Sequence, residues 1–192
     1  MEKQRIVIGV SGASGAPVAV EVLQFLRKCE SIESHLIITE GAEKTIRQEC
    51  GISAAEVAAL ADVVYDIGDI GAAVASGSFK TAGMIVVPAS MKTLAGLAAG
   101  YSGNLLLRAA DVCLKERRRL VLAARETPLN NIHLRNMLTL SETGAIILPL
   151  VLAYYNRPQE VNDLTCHLAG KILDLFGLDH LKFKRWDGGM AV

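Results

Sequence analysis

RIVIGVSGASGAP, residues 5–17, decides the fold. A run of apolar and mostly β-branched residues, Ile6, Val7, Ile8 and Val10, breaks into small and hydroxyl-bearing ones. Pro17 then opens a segment with apolar residues at Val18, Val22, Leu23 and Leu26. A short apolar run bounded by turn residues suits a strand buried on both faces, and the three-to-four spacing after it suits a helix. The construction recurs in HLIIT into EGAEKT from His35, MIVVP into ASMKTLAG from Met84, RLVLAA into RETPLNN from Arg119, and AIILP into LVLAYYNRP from Ala145. Strand and helix in alternation predict an α/β fold, a parallel sheet with helices on both faces and right-handed crossovers. Ligands of such sheets bind in the crevice outside the carboxyl ends of the strands. The polar residues of all five stretches fall there.

By the same reading, strands are expected over residues 5–10, 35–39, 63–67, 84–88, 119–123 and 145–148. Helices are expected over 17–27, after Thr39 as far as 48, then over 53–60, 92–99, 104–116, 132–140 and 160–176. Residues 68–82, rich in Gly, Ala and Ser, are too poor in large apolar groups to build a core and read as a long loop, a kind that is commonly functional.

With 192 residues, 51% of them hydrophobic and 21% charged, the chain is long enough for one well-filled core and short for two. A single domain over 1–181 is expected, followed by a tail over 182–192 that contains Trp186 and a glycine pair. Lys plus Arg and Asp plus Glu stand at 20 each, so no global field points to nucleic acid or an anionic membrane. Any anion affinity must be local. No apolar run approaches the roughly 20 residues that span a bilayer, and Met1 is followed by EKQR and a strand instead of a signal segment, so the chain reads as cytoplasmic. Cys29, Cys50, Cys113 and Cys166 lie far apart with no CxxC spacing, and are expected to be free and mostly buried thiols. The four histidines show no metal-ligand spacing.

The strand-end loops carry the candidate chemistry. GVSGASG can bring backbone amides close to a ligand at a helix start, with Ser14 as the exposed hydroxyl; a plain tight turn explains its glycines equally well. In PASMKT, Ser90, Lys92 and Thr93 crowd one helix start, where hydroxyls cap and an anion is welcome, although Ser90 as a mere N-cap is the simpler reading. No glycine precedes Lys92 as a phosphate loop requires, which excludes a nucleoside triphosphatase of that type. RETP sets Arg125, a fork for phosphate, beside Glu126, a carboxylate able to move protons, where a surface ion pair is the commoner outcome. The KERRR run at 115–119 suits the negative end of a helix. Glu49 stands near a helix end that disfavours a carboxylate, so it is either exposed or held by another group. Of Tyr154 and Tyr155, at least one is expected to pack.

Taken in order, GASG, SGSF, VVPASMKTLAG, NLLLRAADVCLKERR, RETPL and AYYNRP resemble the UbiX family of flavin prenyltransferases, in register over residues 6–177. The resemblance implies a Rossmann-like three-layer α/β/α fold with a mostly parallel sheet. It also implies that reduced FMN is bound and that the dimethylallyl group of dimethylallyl monophosphate is joined to flavin N5 and C6 without a metal. The product, prenylated FMN, would pass to a UbiD-type decarboxylase, and the enzyme would be a homododecamer with its site at subunit contacts.

By position, the resemblance implies FMN contacts at Gly12, Ala13, Ser14, Thr39, Ser90, Met91, Lys92, Thr93 and Arg125. It assigns the isoprenyl phosphate to Lys115, Arg125, Glu126, Tyr155 and Lys171. Ser14 and Glu126 would handle protons, Glu49 would take the C6 proton, and Lys115 completes the catalytic set. A pocket lined by cations suits this chemistry independently, because the leaving phosphate must be stabilised as the allylic C–O bond breaks. An allylic cation also needs a dry site, and residues 71–78 are expected to close over it. Ile70, Gly103, Ala124 and Lys171 depart from the commonest family residues. Two alternatives stay open: an FMN-dependent decarboxylase of the cysteine-decarboxylase type, and a non-catalytic FMN-binding subunit.

Overall fold

Alternate side chains of a strand point to opposite faces, and here both faces are buried. In β1 (Gln4–Val10), Ile6, Ile8 and Val10 enter one apolar cluster while Val7 enters a second. β4 (Gly83–Ala89) divides the same way, with Ile85 and Val87 against Met84, Val86 and Ala89. So does β5 (Arg119–Ala124), with Val121 and Ala123 against Leu120, Leu122 and Ala124. This two-sided burial is the physical reason that the strands read as continuous apolar runs.

The computed structural model describes residues 3–180 together with Arg185, Trp186 and Gly188. The remaining strands are β2 (Ile32–Ile38), β3 (Val63–Tyr65) and β6 (Ile146–Ile147). The sheet order is β3-β2-β1-β4-β5-β6, with every neighbouring pair parallel. The helices are α1 (Ala16–Leu26), α2 (Glu40–Cys50), α3 (Ala54–Ala58), α4 (Met91–Ala98), α5 (Leu105–Lys115), α6 (Asn131–Glu142) and α7 (Val161–Asp174). Helices α1, α2 and α7 fill the first cluster, and α4, α5 and α6 the second. The result is the three-layer, Rossmann-like arrangement expected, with a sheet that is parallel throughout.

Several boundaries differ from the sequence expectation. β2 begins at Ile32, three residues before His35, because its polar residues are paired: Ser34 with Asp62, Glu33 with Arg5, and His35 with Tyr65. The long loop at 68–82 does contribute to a core. It makes a short 3-10 turn at Ala73–Ala75 and buries Ala72 and Val74 in the second cluster. None of the four cysteines forms a disulfide among the described residues; Cys113 and Cys166 are buried, and burial pushes the Cys113 thiol up to about 12. The expected tail at 182–192 lies largely outside the described residues. Of it, Arg185 bonds Asp174 at 2.6 Å and Asp179 at 2.7 Å. No helix among the described residues is long and apolar enough to cross a membrane.

Candidate active site at the carboxyl edge of the sheet

The strand order reverses direction between β1 and β4, which is where an open α/β sheet forms its ligand crevice. Ser11, buried at the end of β1, ties the two loops of that crevice together. Its Oγ donates to Pro88 O at 2.8 Å and accepts from Ser90 N at 2.8 Å. Gly12 then passes so close to α2 that a Cβ would lie 2.9 Å from the Gly41 carbonyl carbon.

Among the helices that start on this edge, α1, α2 and α4 follow the strands β1, β2 and β4 that form the crevice. Thr39 caps α2 by accepting from Ala42 N at 3.2 Å. Ser90 caps α4 by accepting from Thr93 N at 3.3 Å, and its hydroxyl pairs with that of Thr93 at 3.0 Å. The simpler N-cap reading of Ser90 therefore holds, whatever else it contacts. The first turn of α1 has no side-chain cap of its own; Gly15, at φ 118, leads into it. The carboxylate of Glu49 fills that place. Its Oε2 accepts from Gly15 N and from Ala16 N, both at 2.9 Å. The odd position of Glu49 at the end of α2 thus has a cause: an N-terminal dipole of another helix holds the charge that its own helix end disfavours.

Ser14, Glu49, Arg125 and Thr165 line a cleft of about 400 Å³. Most of the rest of its lining is apolar, from Val18, Leu150, Leu152, Val161 and Leu168. Arg125 is exposed and anchored through its backbone, with N donating to Ala89 O at 3.2 Å. A cation in a largely apolar cleft fits a ligand with an anionic head and a short hydrocarbon tail. Gly12, Ala13, Thr39 and residues 90–93 lie on the same edge, with Met91 and Thr93 buried and Lys92 exposed.

Other sequence-predicted residues are not brought into this cleft within one chain. Glu126 follows Arg125 but is not a wall residue, and its Oε1 accepts from Thr127 N at 3.0 Å. Tyr155 sets its ring edge-on to His167 at 5.6 Å and to Trp186 at 5.7 Å. His167 also pairs with Asn156 at 2.9 Å; burial first, and then the charge of Lys171, push its pKa down. Lys171 is exposed on α7. Lys115 is farther off. α5 starts beside the carboxyl end of β3, where Leu105 N donates to Ile67 O, and runs to the opposite edge, where β5 begins. There Lys115 pairs with Glu116.

Residues 71–78 do not close over the cleft of their own chain. The segment descends to the same opposite edge, where Arg118 holds Gly77 O and Phe79 O. Two features escaped the sequence reading. Ser11 carried no mark separating it from Ser14 in GVSGASG, and Leu150 with Leu152 showed only as an apolar run after the last strand. Among the described residues no group of three or more His, Cys, Asp or Glu could hold a metal ion.

The family model described as Flavoprotein matches residues 1–172. A protein of Sedimentibacter hydroxybenzoicus, named a probable UbiX-like flavin prenyltransferase, is 50% identical over 184 residues, covering 96% of this chain and 97% of the relative. A solved structure of AnUbiX (PadA1) in complex with FMN and dimethylallyl pyrophosphate superposes with a TM-score of 0.96 at 49% identity, covering 98% of this chain and 100% of that one. A dodecameric FMN-dependent UbiX-like decarboxylase from Escherichia coli O157:H7 gives a TM-score of 0.95 at 49% identity, covering 96% and 100%.

Proposed function

The chain belongs to the flavoprotein family as a UbiX-like flavin prenyltransferase, and from that premise we propose that its strand-end cleft is where reduced FMN meets a dimethylallyl phosphate. Reduced FMN supplies the nucleophilic N5 and C6. The observation that carries the reading is the mixed lining of the cleft, which brings Ser14, Glu49 and Arg125 together with Leu150, Leu152 and Leu168. The apolar wall takes the dimethylallyl group and excludes water from it, while Arg125 takes the phosphate and stabilises it as it leaves.

The residues on this edge fit FMN. Gly12, Ala13 and Ser14 offer backbone that approaches closely, and the first turns of α2 and α4, at Thr39 and at Ser90, Met91, Lys92 and Thr93, offer amides and a cation to its phosphate. The first turn of α1 is already bonded to Glu49. Glu49 removes the C6 proton through Oε1, since Oε2 carries both backbone bonds. Ser14 and Glu126 move the remaining protons.

Lys115 completes the phosphate site across a subunit contact, because it stands at the opposite edge of its own chain; Glu126, Tyr155 and Lys171 complete it beside Arg125. A relative of the same length and fold is dodecameric, and a homododecamer is proposed here. The product goes to a UbiD-type decarboxylase in the cytoplasm, and residues 1–181 form one domain ahead of the tail.

The assignment of Arg125 is tested with oxidised FMN bound, which does not react. Titration calorimetry of dimethylallyl monophosphate, and separately of the pyrophosphate seen in a relative, is expected to show Arg125→Ala weakening the bound phosphate by ~1.5–3 kcal/mol. Unchanged affinity for both removes Arg125 from the site.

A further inference from the structure

At the edge opposite the cleft, the turn at 76–79 is braced from several directions. Arg118 donates through Nη1 to Phe79 O at 2.7 Å and through Nη2 to Gly77 O. Arg108 Nε donates to Ala75 O at 3.2 Å. The Phe79 ring sits 4.9 Å from the Arg5 guanidinium and 5.4 Å from the His35 ring. Outside this turn lies the Lys115–Glu116 ion pair. A Cβ on Gly77 would stand 2.7 Å from Lys115 Nζ and would overlap the Glu116 carboxylate. Gly77 does not have the positive φ that would itself call for glycine, so an added Cβ would act by displacing the ends of these two side chains.

An exposed ion pair between flexible side chains does little to fix an ammonium, because holding both chains costs rotamer entropy. A rigid surface behind it does more. We propose that Arg118 and Gly77 are positioning residues for Lys115. Arg118 fixes the two carbonyls of the turn, Gly77 leaves the room in which the ammonium lies, and Lys115 is thereby presented in one place to the phosphate in a neighbouring subunit's cleft. This rests on the reading that Lys115 holds that phosphate.

The test is steady-state kinetics of the assembled enzyme with reduced FMN. Arg118→Ala and Gly77→Ala are each expected to raise KM for dimethylallyl monophosphate roughly three- to tenfold, the scale of one misplaced hydrogen-bonding group, with the Kd for FMN unchanged. In a Lys115→Ala background both effects vanish. Gly77→Ala keeps the carbonyls that Arg118 grips, so a matching KM change separates displacement of Lys115 from loosening of the turn. An unchanged KM in both variants, or changes that persist without Lys115, overturns the proposal. An unchanged KM in Lys115→Ala alone overturns the reading of Lys115 and the proposal with it.

Discussion

Glu49 shows how one carboxylate can be both anchored and available. Gly15 and Ala16 donate to the same oxygen, Oε2, and among the described residues no hydrogen bond to Oε1 is made. Glu49→Gln keeps an acceptor for the two amides while removing the base. Bond formation at N5 is expected to continue near the normal rate while closure at C6 slows by at least about a hundredfold, followed by anaerobic stopped-flow absorbance. Closure at the normal rate would remove Glu49 as the base. The sequence exposed the anomaly, a carboxylate near a helix end, but not its resolution. Its partners are backbone amides 34 and 33 residues away, and amides leave no signature in residue types. Ser11 was obscured differently: it and Ser14 look alike in sequence, and only the turn of the chain buries one and leaves the other on the cleft.

At the scale of elements, capping decides where helices begin and hence where amides face the crevice. Ser90, Thr39, Asn104 and Asn130 each accept a hydrogen bond from an amide in the first turn of their helices. Asn104 does not line the cleft, so its effect is read on stability: its side chain accepts from Leu107 N at 2.9 Å. Asn104→Ala is expected to lower stability by about 1 kcal/mol, read from the midpoint of urea unfolding, and an unchanged midpoint would deny the cap an energetic role. Strands buried on both faces were legible because their apolar runs are unbroken. The start of β2 was not, since Glu33 and Ser34 look like a loop until Arg5 and Asp62 are seen to satisfy them. The place of the segment at 71–78 in its own chain was not legible for a related reason: composition shows that a stretch lacks bulk, but not which edge of the sheet it reaches.

For the whole molecule, the candidate groups divide by face. Ser14, Glu49 and Arg125 share one cleft that α7 also lines through Val161, Thr165 and Leu168; Tyr155 and Lys171 stand beside and on α7 without lining it, and Lys115 stands at the far edge. Motif order in the sequence identified these residues together, yet periodicity and strand-end logic describe a single chain and cannot bring separate faces into one site. Large apolar side chains also stay exposed, among them Ile132 at 66% and Val151 at 72%. The proposed assembly would cover such residues and bring the separated groups together. The central claim is that this chain prenylates flavin, and anaerobic incubation of the protein with reduced FMN and dimethylallyl monophosphate tests it most directly. Mass spectrometry of the released flavin is expected to show FMN increased by one dimethylallyl unit, with phosphate freed in equal amount; FMN recovered unchanged, bound but unaltered, would contradict the account.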